Sequence, residues 1–169
     1  YTLSALLLLS PFYVILLNIV NTPVEKLINR YYINDAKKIL KKHGSLKIIG
    51  VTGSYGKTST KYILGRMLSE KYNVTITPGS FNTLLGVVRT IREQLTPATQ
   101  VFVVEMGAKR VGDIKEICDL VKPQMGVITS VGEQHLSTFG SIDNVLKTKF
   151  ELYDAVKAAG GVMFLNFDN

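Results

Sequence analysis

An apolar strand that runs into a glycine turn and then directly into a helix leaves a chain few folds to adopt. This sequence has that unit at Leu46-Lys-Ile-Ile-Gly50-Val-Thr-Gly53-Ser-Tyr-Gly56-Lys57-Thr58, followed by the helix-compatible Ser59-Thr-Lys-Tyr-Ile-Leu-Gly-Arg-Met-Leu. Glycines let the backbone curl so that successive N–H groups converge on one anion, and a helix N-terminus adds partial positive charge. A lysine after the second glycine reaches outer phosphates, and the hydroxyl that follows it can hold Mg²⁺. The longer phosphate-loop pattern places a glycine five residues before Gly56, where this chain has Val51; its glycines stand at 50 and 53. The pattern is the shorter Gly-x-x-Gly-Lys-Thr form, and it predicts a nucleoside triphosphate site built on Gly53, Ser54, Tyr55, Gly56, Lys57, Thr58 and Ser59.

The rest of the chain repeats the alternation. Residues 46–52, 73–77, 101–104, 125–129 and 161–165 read as strands. Residues 57–70, 83–95, 112–121 and 142–156 read as helices. Uninterrupted apolar strands such as Val101-Phe-Val-Val, separated by helices, predict an α/β fold with a mostly parallel sheet covered on both faces. In such sheets ligands collect at the carboxyl ends of the strands. The single cysteine, Cys118, rules out an internal disulfide framework and a cysteine zinc site. It shares a helical face with Ile114, Ile117 and Val121, which predicts a core position.

The first 20 residues carry no charge, and about 20 apolar residues span a bilayer as a helix. They are followed by Lys26, Arg30, Lys37, Lys38, Lys41 and Lys42 against only Glu25 and Asp35. Basic residues next to a span mark its cytoplasmic side. The expectation is a transmembrane helix over residues 1–20, a basic juxtamembrane helix or linker over 21–45, and a nucleotide-binding domain over 46–169 on the cytoplasmic face of a bacterial cell membrane. A signal peptide fits less well, with no basic stretch in front and no small-residue cleavage site behind. A buried soluble helix is the third reading. The net charge of +7 is partly accounted for by this segment. Nothing motif-like accompanies the lysines except Tyr31-Tyr32, so no nucleic-acid partner is expected. The end of the chain just after the apolar run Val162-Met-Phe-Leu reads as a fragment of a longer protein.

Glu105 closes the strand Val101-Phe-Val-Val before Met106-Gly107, the position where nucleotide-binding sheets place a Mg²⁺ ligand; Mg²⁺ favours such hard oxygen donors. With the phosphate loop, the order of motifs resembles the central ATPase domain of the Mur ligases, the ATP-dependent family that adds amino acids or peptides to the bacterial cell-wall precursor. Folylpolyglutamate synthases are its relatives. The resemblance implies that Thr58 and Glu105 hold Mg²⁺ on ATP and that His135, in Gly132-Glu-Gln-His135-Leu-Ser, lies near a second Mg²⁺. It implies further that a lysine in Lys147-Thr-Lys149-Phe-Glu-Leu is carbamylated to bind that second ion; the alignment favours Lys149, with Lys147 as the alternative. Asn82, in Pro78-Gly-Ser-Phe-Asn82-Thr83, falls near the transferred phosphate, and Asn166, in Asn166-Phe-Asp168, falls at the adenine. The chain departs from the family pattern at Ser137, where an acidic residue is common, and at Thr83, where a second asparagine is common.

By the same resemblance, catalysis rests on Lys57, His135 and Lys149. The reaction implied is an ADP-forming amide ligation in which ATP activates a carboxylate as an acyl phosphate. The partners implied are a UDP-linked or lipid-linked muramoyl peptide and D-alanyl-D-alanine. A folylpolyglutamate-synthase-like ligase and a membrane-tethered nucleotide-binding module without ligase activity are the other readings.

Overall fold

The structure, a computed structural model, describes residues 2–132 and 136–166; side-chain surroundings are described from residue 9 onward and not at 136–137. Five strands form one sheet in the order β2-β3-β1-β4-β5: β1 (Lys47–Thr52), β2 (Val74–Ile76), β3 (Val101–Glu105), β4 (Met125–Ile128) and β5 (Val162–Leu165). Every strand pair is parallel. The helices are α1 (Thr2–Lys42), α2 (Lys57–Ser69), α3 (Leu84–Gln94), α4 (Asp113–Val121), the short α5 (Leu136–Phe139) and α6 (Ile142–Ala158).

The continuous apolar strands divide their side chains between two cores. Ile48, Phe102 and Val104 join the residues of α3, α4 and α6 on one face. Ile49, Val51, Val101 and Val103 pack on the other face against Leu64 and Leu68 of α2. The central strands β1 and β3 are therefore covered on both faces, as the apolar runs predict, whereas the edge strand β5 leaves Val162 and Phe164 exposed. Gly50 and Gly126 lie where Leu152 of α6 comes down onto the sheet. A Cβ at Gly50 would stand 2.7 Å from Leu152 Cδ1, and one at Gly126 would meet Met163 Sδ at 2.4 Å. These strand glycines set how closely α6 approaches. Cys118 is buried, and burial pushes its thiol up to about 12, as its core position requires.

The N-terminal segment corrects an expectation. Among the described residues no helix is long and apolar enough to cross a membrane. The proposed transmembrane span over residues 1–20, the membrane attachment through it and the cell-membrane placement of the domain are withdrawn. The apolar run is instead part of one helix that continues without a break to Lys42. That helix contains Pro11 and Pro23 and carries Glu25, Lys26 and Arg30 on its middle turns. Its C-terminal turns dock on the domain. Ala36 is fully buried, and Ile33, Ile39 and Leu40 pack against the core on the α3 and α4 side. Arg92 of α3 donates to Asp35 at 2.8 Å and stands 4.2 Å from the Tyr32 ring. His43, just past the helix, bridges the carbonyls of Ile39 and Thr96.

If this docking holds α1 in place, Ala36→Asp buries an unpaired charge and should cost about 3 kcal/mol or more. For a domain of this size that lowers Tm by roughly 6–12 °C. Lys37→Ala, on the exposed side, should change stability by less than about 0.5 kcal/mol. Thermal denaturation of both variants checks the contrast.

Candidate active site

The loop between β1 and α2 is held by the end of β4. Ser54 donates its N–H to the Ser130 carbonyl (2.7 Å) and its hydroxyl to the Gly132 carbonyl (3.0 Å), and the Gly132 N–H donates back to Ser54 Oγ (3.0 Å). Tyr55 N–H donates to Ser130 Oγ, and Thr129 Oγ1 donates to the Tyr55 carbonyl at 2.6 Å. Gly53 has φ +147°, and a Cβ there would sit 2.0 Å from Thr129 Oγ1. Only glycine fits that position. Gly56, φ +78°, precedes α2, and no side chain caps the helix start. The loop is thus fixed from behind, and the helix N-terminus keeps its dipole for an anion. Lys57 Nζ folds back onto the carbonyls of Gly53 (2.8 Å) and Ser54 (3.0 Å). Burial lowers its pKa, and the Glu105 carboxylate opposes that shift.

Glu105, at the carboxyl end of β3, is 1% exposed. Its Oε1 accepts from Thr58 Oγ1 (3.2 Å) and Asn82 Nδ2 (3.1 Å); its Oε2 accepts from Lys61 Nζ (2.9 Å). Lys61 is fully buried and also donates to the Gly79 carbonyl at 2.6 Å. The hydroxyl of the neighbouring Tyr62 accepts from Gly79 N–H, so two successive α2 residues hold the 78–83 loop. Asn82 in turn lies against Gly107, where a Cβ would come within 2.7 Å of its Cγ. A carboxylate oxygen beside a hydroxyl, facing a cavity, is the donor set that Mg²⁺ accepts with phosphate and water completing the shell. Among the described residues no three His, Cys, Asp or Glu side chains cluster.

Lys149 approaches from α6 and is 4% exposed; Lys147, two residues earlier, is exposed to solvent. Burial first, and the nearby Lys57 cation second, lower its pKa from 10.5 to about 8. Two residues on, Glu151 fixes this stretch of α6 to α4: it accepts from Gly112 N–H (2.6 Å) and Lys115 N–H (2.8 Å) at the α4 N-terminus.

Lys57, Thr58, Asn82, Glu105 and Lys149 line one cavity of about 890 Å³. Five residues from four separate stretches of sequence thus converge. Ser59 is exposed and does not line this cavity. Tyr55 is also exposed, and Ser54 is spent within the loop. Asn166 donates to the Thr129 carbonyl at 3.1 Å, beside the phosphate loop. His135 lies outside the described residues. Sequence reasoning missed Lys61. Helical spacing held the signal, since a residue three positions after Thr58 lies on the same face of α2 and meets the same carboxylate.

Three kinds of comparison bear on this geometry. A family model described as the Mur ligase middle domain matches residues 51–169. The chain is 41% identical over 126 residues to a Mycobacterium bovis protein named UDP-N-acetylmuramoyl-tripeptide--D-alanyl-D-alanine ligase, covering 75% of this chain and 24% of that protein. A Bacillus subtilis protein of the same name is 35% identical over 130 residues, covering 77% of this chain and 28% of that one. The crystal structure of MurF ligase from Thermotoga maritima in complex with ADP superposes with a TM-score of 0.78 at 34% identity, over 83% of this chain and 32% of that chain. The chain therefore spans about a quarter of the length of the curated relatives it matches.

The buried pair makes the site's stability testable. Lys61→Met strands a buried carboxylate and should cost about 3–5 kcal/mol. Lys61→Met combined with Glu105→Gln should cost markedly less, because no buried charge is left. Urea denaturation of the two variants and of Glu105→Gln alone closes the cycle; strictly additive losses would show that the pair is uncoupled.

Proposed function

The chain belongs to the Mur ligase family through its middle domain, and from that premise we propose that it forms the ATP-binding part of an ADP-forming ligase that adds D-alanyl-D-alanine to a UDP-muramoyl-tripeptide. The observation that carries the reading is the convergence of Lys57, Thr58, Glu105 and Lys149 on one cavity at the carboxyl ends of a parallel sheet. When bound, ATP and Mg²⁺ supply the phosphoryl group that activates the acceptor carboxylate and the charge that neutralises the phosphates.

The residues of this chain solve a charge problem. An acceptor carboxylate has to come close to a polyanion, and Lys57 with the α2 N-terminus supplies fixed positive potential where the two meet. The loop 53–58 would hold the phosphates, with Thr58 and Glu105 holding the metal and Asn82 and Lys61 keeping Glu105 in one orientation. Asn166, beside Thr129, would take the adenine side. Holding two reactants in line is itself worth on the order of 7–11 kcal/mol.

Lys149 and His135 would hold a second Mg²⁺, with Lys149 as a carbamate. The chemistry needs a neutral amine, which adds to the carbon of CO₂, forms an N–C bond and gives up a proton to solvent. At pH 8 roughly half of a lysine with a pKa of about 8 is neutral, which an ordinary lysine is not. Lys149 rather than Lys147 is the candidate, because only Lys149 is buried at the cavity.

Substrate-dependent ADP release tests the proposal. Product formation should require the UDP-muramoyl-tripeptide and D-alanyl-D-alanine together; nucleotide binding without it would leave a non-ligase module. Lys57→Ala should weaken ADP binding by about 10- to 100-fold with little change in Tm, the loss of charge-assisted hydrogen bonds to phosphate. Lys149→Ala should abolish ligation and regain part of it when a short carboxylic acid is added, since such an acid can occupy the vacated anionic position. The same addition should not help Lys57→Ala. ¹³C-bicarbonate should label wild type at Lys149, with labelling that rises as pH passes through about 8. Full activity in Lys149→Ala would end the carbamate assignment.

A further inference from the structure

The cavity that holds Lys57 and Glu105 does not end at the sheet. Its lining includes Asn29 and Ile33 of α1, a helix that lies outside the residues matched by the family model. Both side chains are half-buried. We propose that α1 is part of the acceptor site, with Asn29 and Ile33 as specificity-determining residues that grip the peptide portion of the acceptor; the inference rests on the ligase reading above and extends it.

Three observations support this. First, the wall is fixed in position. Four helical residues beyond Asn29 stands Ile33, and three beyond that stands Ala36, which is fully buried against the core. The Arg92–Asp35 contact and the Arg92 guanidinium over Tyr32 hold the same turns from α3. A wall anchored at its next turn can discriminate between ligands, because it does not give way when one enters.

Second, the cavity lining is mixed in chemistry. It carries Lys57, Thr58, Glu105 and Lys149, the groups suited to a reacting carboxylate and phosphates, and also Lys109, Arg110 and Glu116. Charges of both signs in one cavity fit a ligand that itself bears both amine and carboxylate groups. Asp113 accepts from the N–H groups of Lys109 and Arg110 (2.8 and 3.0 Å) and lies 3.9 Å from the Arg110 guanidinium, so it fixes the turn from which the lysine and arginine side chains extend.

Third, Asn29 and Ile33 are suited to a peptide in particular. The asparagine amide offers one acceptor and two donors, which match an extended peptide backbone. One turn along α1 on the same side, Ile33 offers an apolar contact for side-chain methylenes. Together they make a polar-then-apolar strip in the lining of the cavity that also holds Lys57 and Lys149. The ligand class assigned to this strip is an extended zwitterionic peptide whose terminal carboxylate lies toward Lys57.

The test uses the full protein with UDP-muramoyl-tripeptide as the acceptor probe and D-alanyl-D-alanine as the amine. Asn29→Ala should raise the acceptor KM about tenfold, one hydrogen bond's worth, and Ile33→Trp should raise it further. In both, kcat and ADP affinity should stay within twofold of wild type. Lys37→Ala, on the exposed side of α1, should change none of these. A readout independent of turnover comes from Ile33→Cys: saturating acceptor should slow its alkylation by a maleimide at least tenfold, and native Cys118 is buried and does not compete. Unchanged acceptor KM in both wall variants, or no protection of the introduced thiol while wild type ligates normally, overturns the proposal. So does a loss of ADP affinity as large as the loss in acceptor KM, which would mean that α1 acts only through the fold. If Ile33→Trp does not fold, Asn29→Ala and the protection experiment decide. If wild type binds ADP but makes no product from this acceptor, the ligase reading fails and this inference falls with it, an outcome distinct from the others.

Discussion

The site depends on a carboxylate that water barely reaches. Glu105 is held at the end of β3 by Lys61, Thr58 and Asn82, and its own N–H donates to Thr77 Oγ1 at 3.0 Å. A charge that deep is tolerable only when its partners are in place. The requirement propagates outward. Lys61 orders α2 and the 78–83 loop together, Asn82 brings α3 to the β3 terminus, and Thr58 ties the start of α2 to the same carboxylate. Three connections that are distant in sequence share one buried anion. The consequence is that Oε2 is taken by the lysine, whereas Oε1 lies beside Thr58 and Asn82, two residues that line the cavity.

A second set of contacts sets the other side of the cleft. Glu151 of α6 satisfies the α4 N-terminus, which fixes Lys149 of the same helix against the phosphate loop. Leu152 then settles into the space left by Gly50 and Gly126. The position of Lys149 is thus decided by a glycine in β1, a glycine in β4 and a carboxylate two residues away. Its lowered pKa follows from that position, through burial and the Lys57 cation. Lys147, on the exposed side of α6, has no such environment.

Helix α1 shows how a local reading can be right about chemistry and wrong about context. The first 20 residues are uncharged, and that much was legible. What composition could not register is that the helix runs on unbroken to Lys42 and that its later turns carry Ile33, Ala36, Ile39 and Leu40 into the core. The lysines counted as a juxtamembrane cluster are the outward side of a docked helix.

The linear sequence determined the elements and the class of site by itself. Continuous apolar runs of four or five residues between helical segments dictate buried parallel strands, because only a sheet covered on both faces has no wet side to leave polar. Gly53, Gly56, Lys57 and Thr58 are neighbours in the chain, so their pattern is a local property that spacing carries; Glu105 is read from its place at the end of a strand, and Asn82 only from the family resemblance. What only the tertiary structure decided is which long side chains meet. Lys61 pairs with Glu105 across 44 positions, Arg92 with Asp35 across 57, and Asn29 faces a cavity that opens beside Lys57. These contacts depend on strand order and on how closely helices approach the sheet, quantities set by packing the whole core at once and carried by no single stretch of residues.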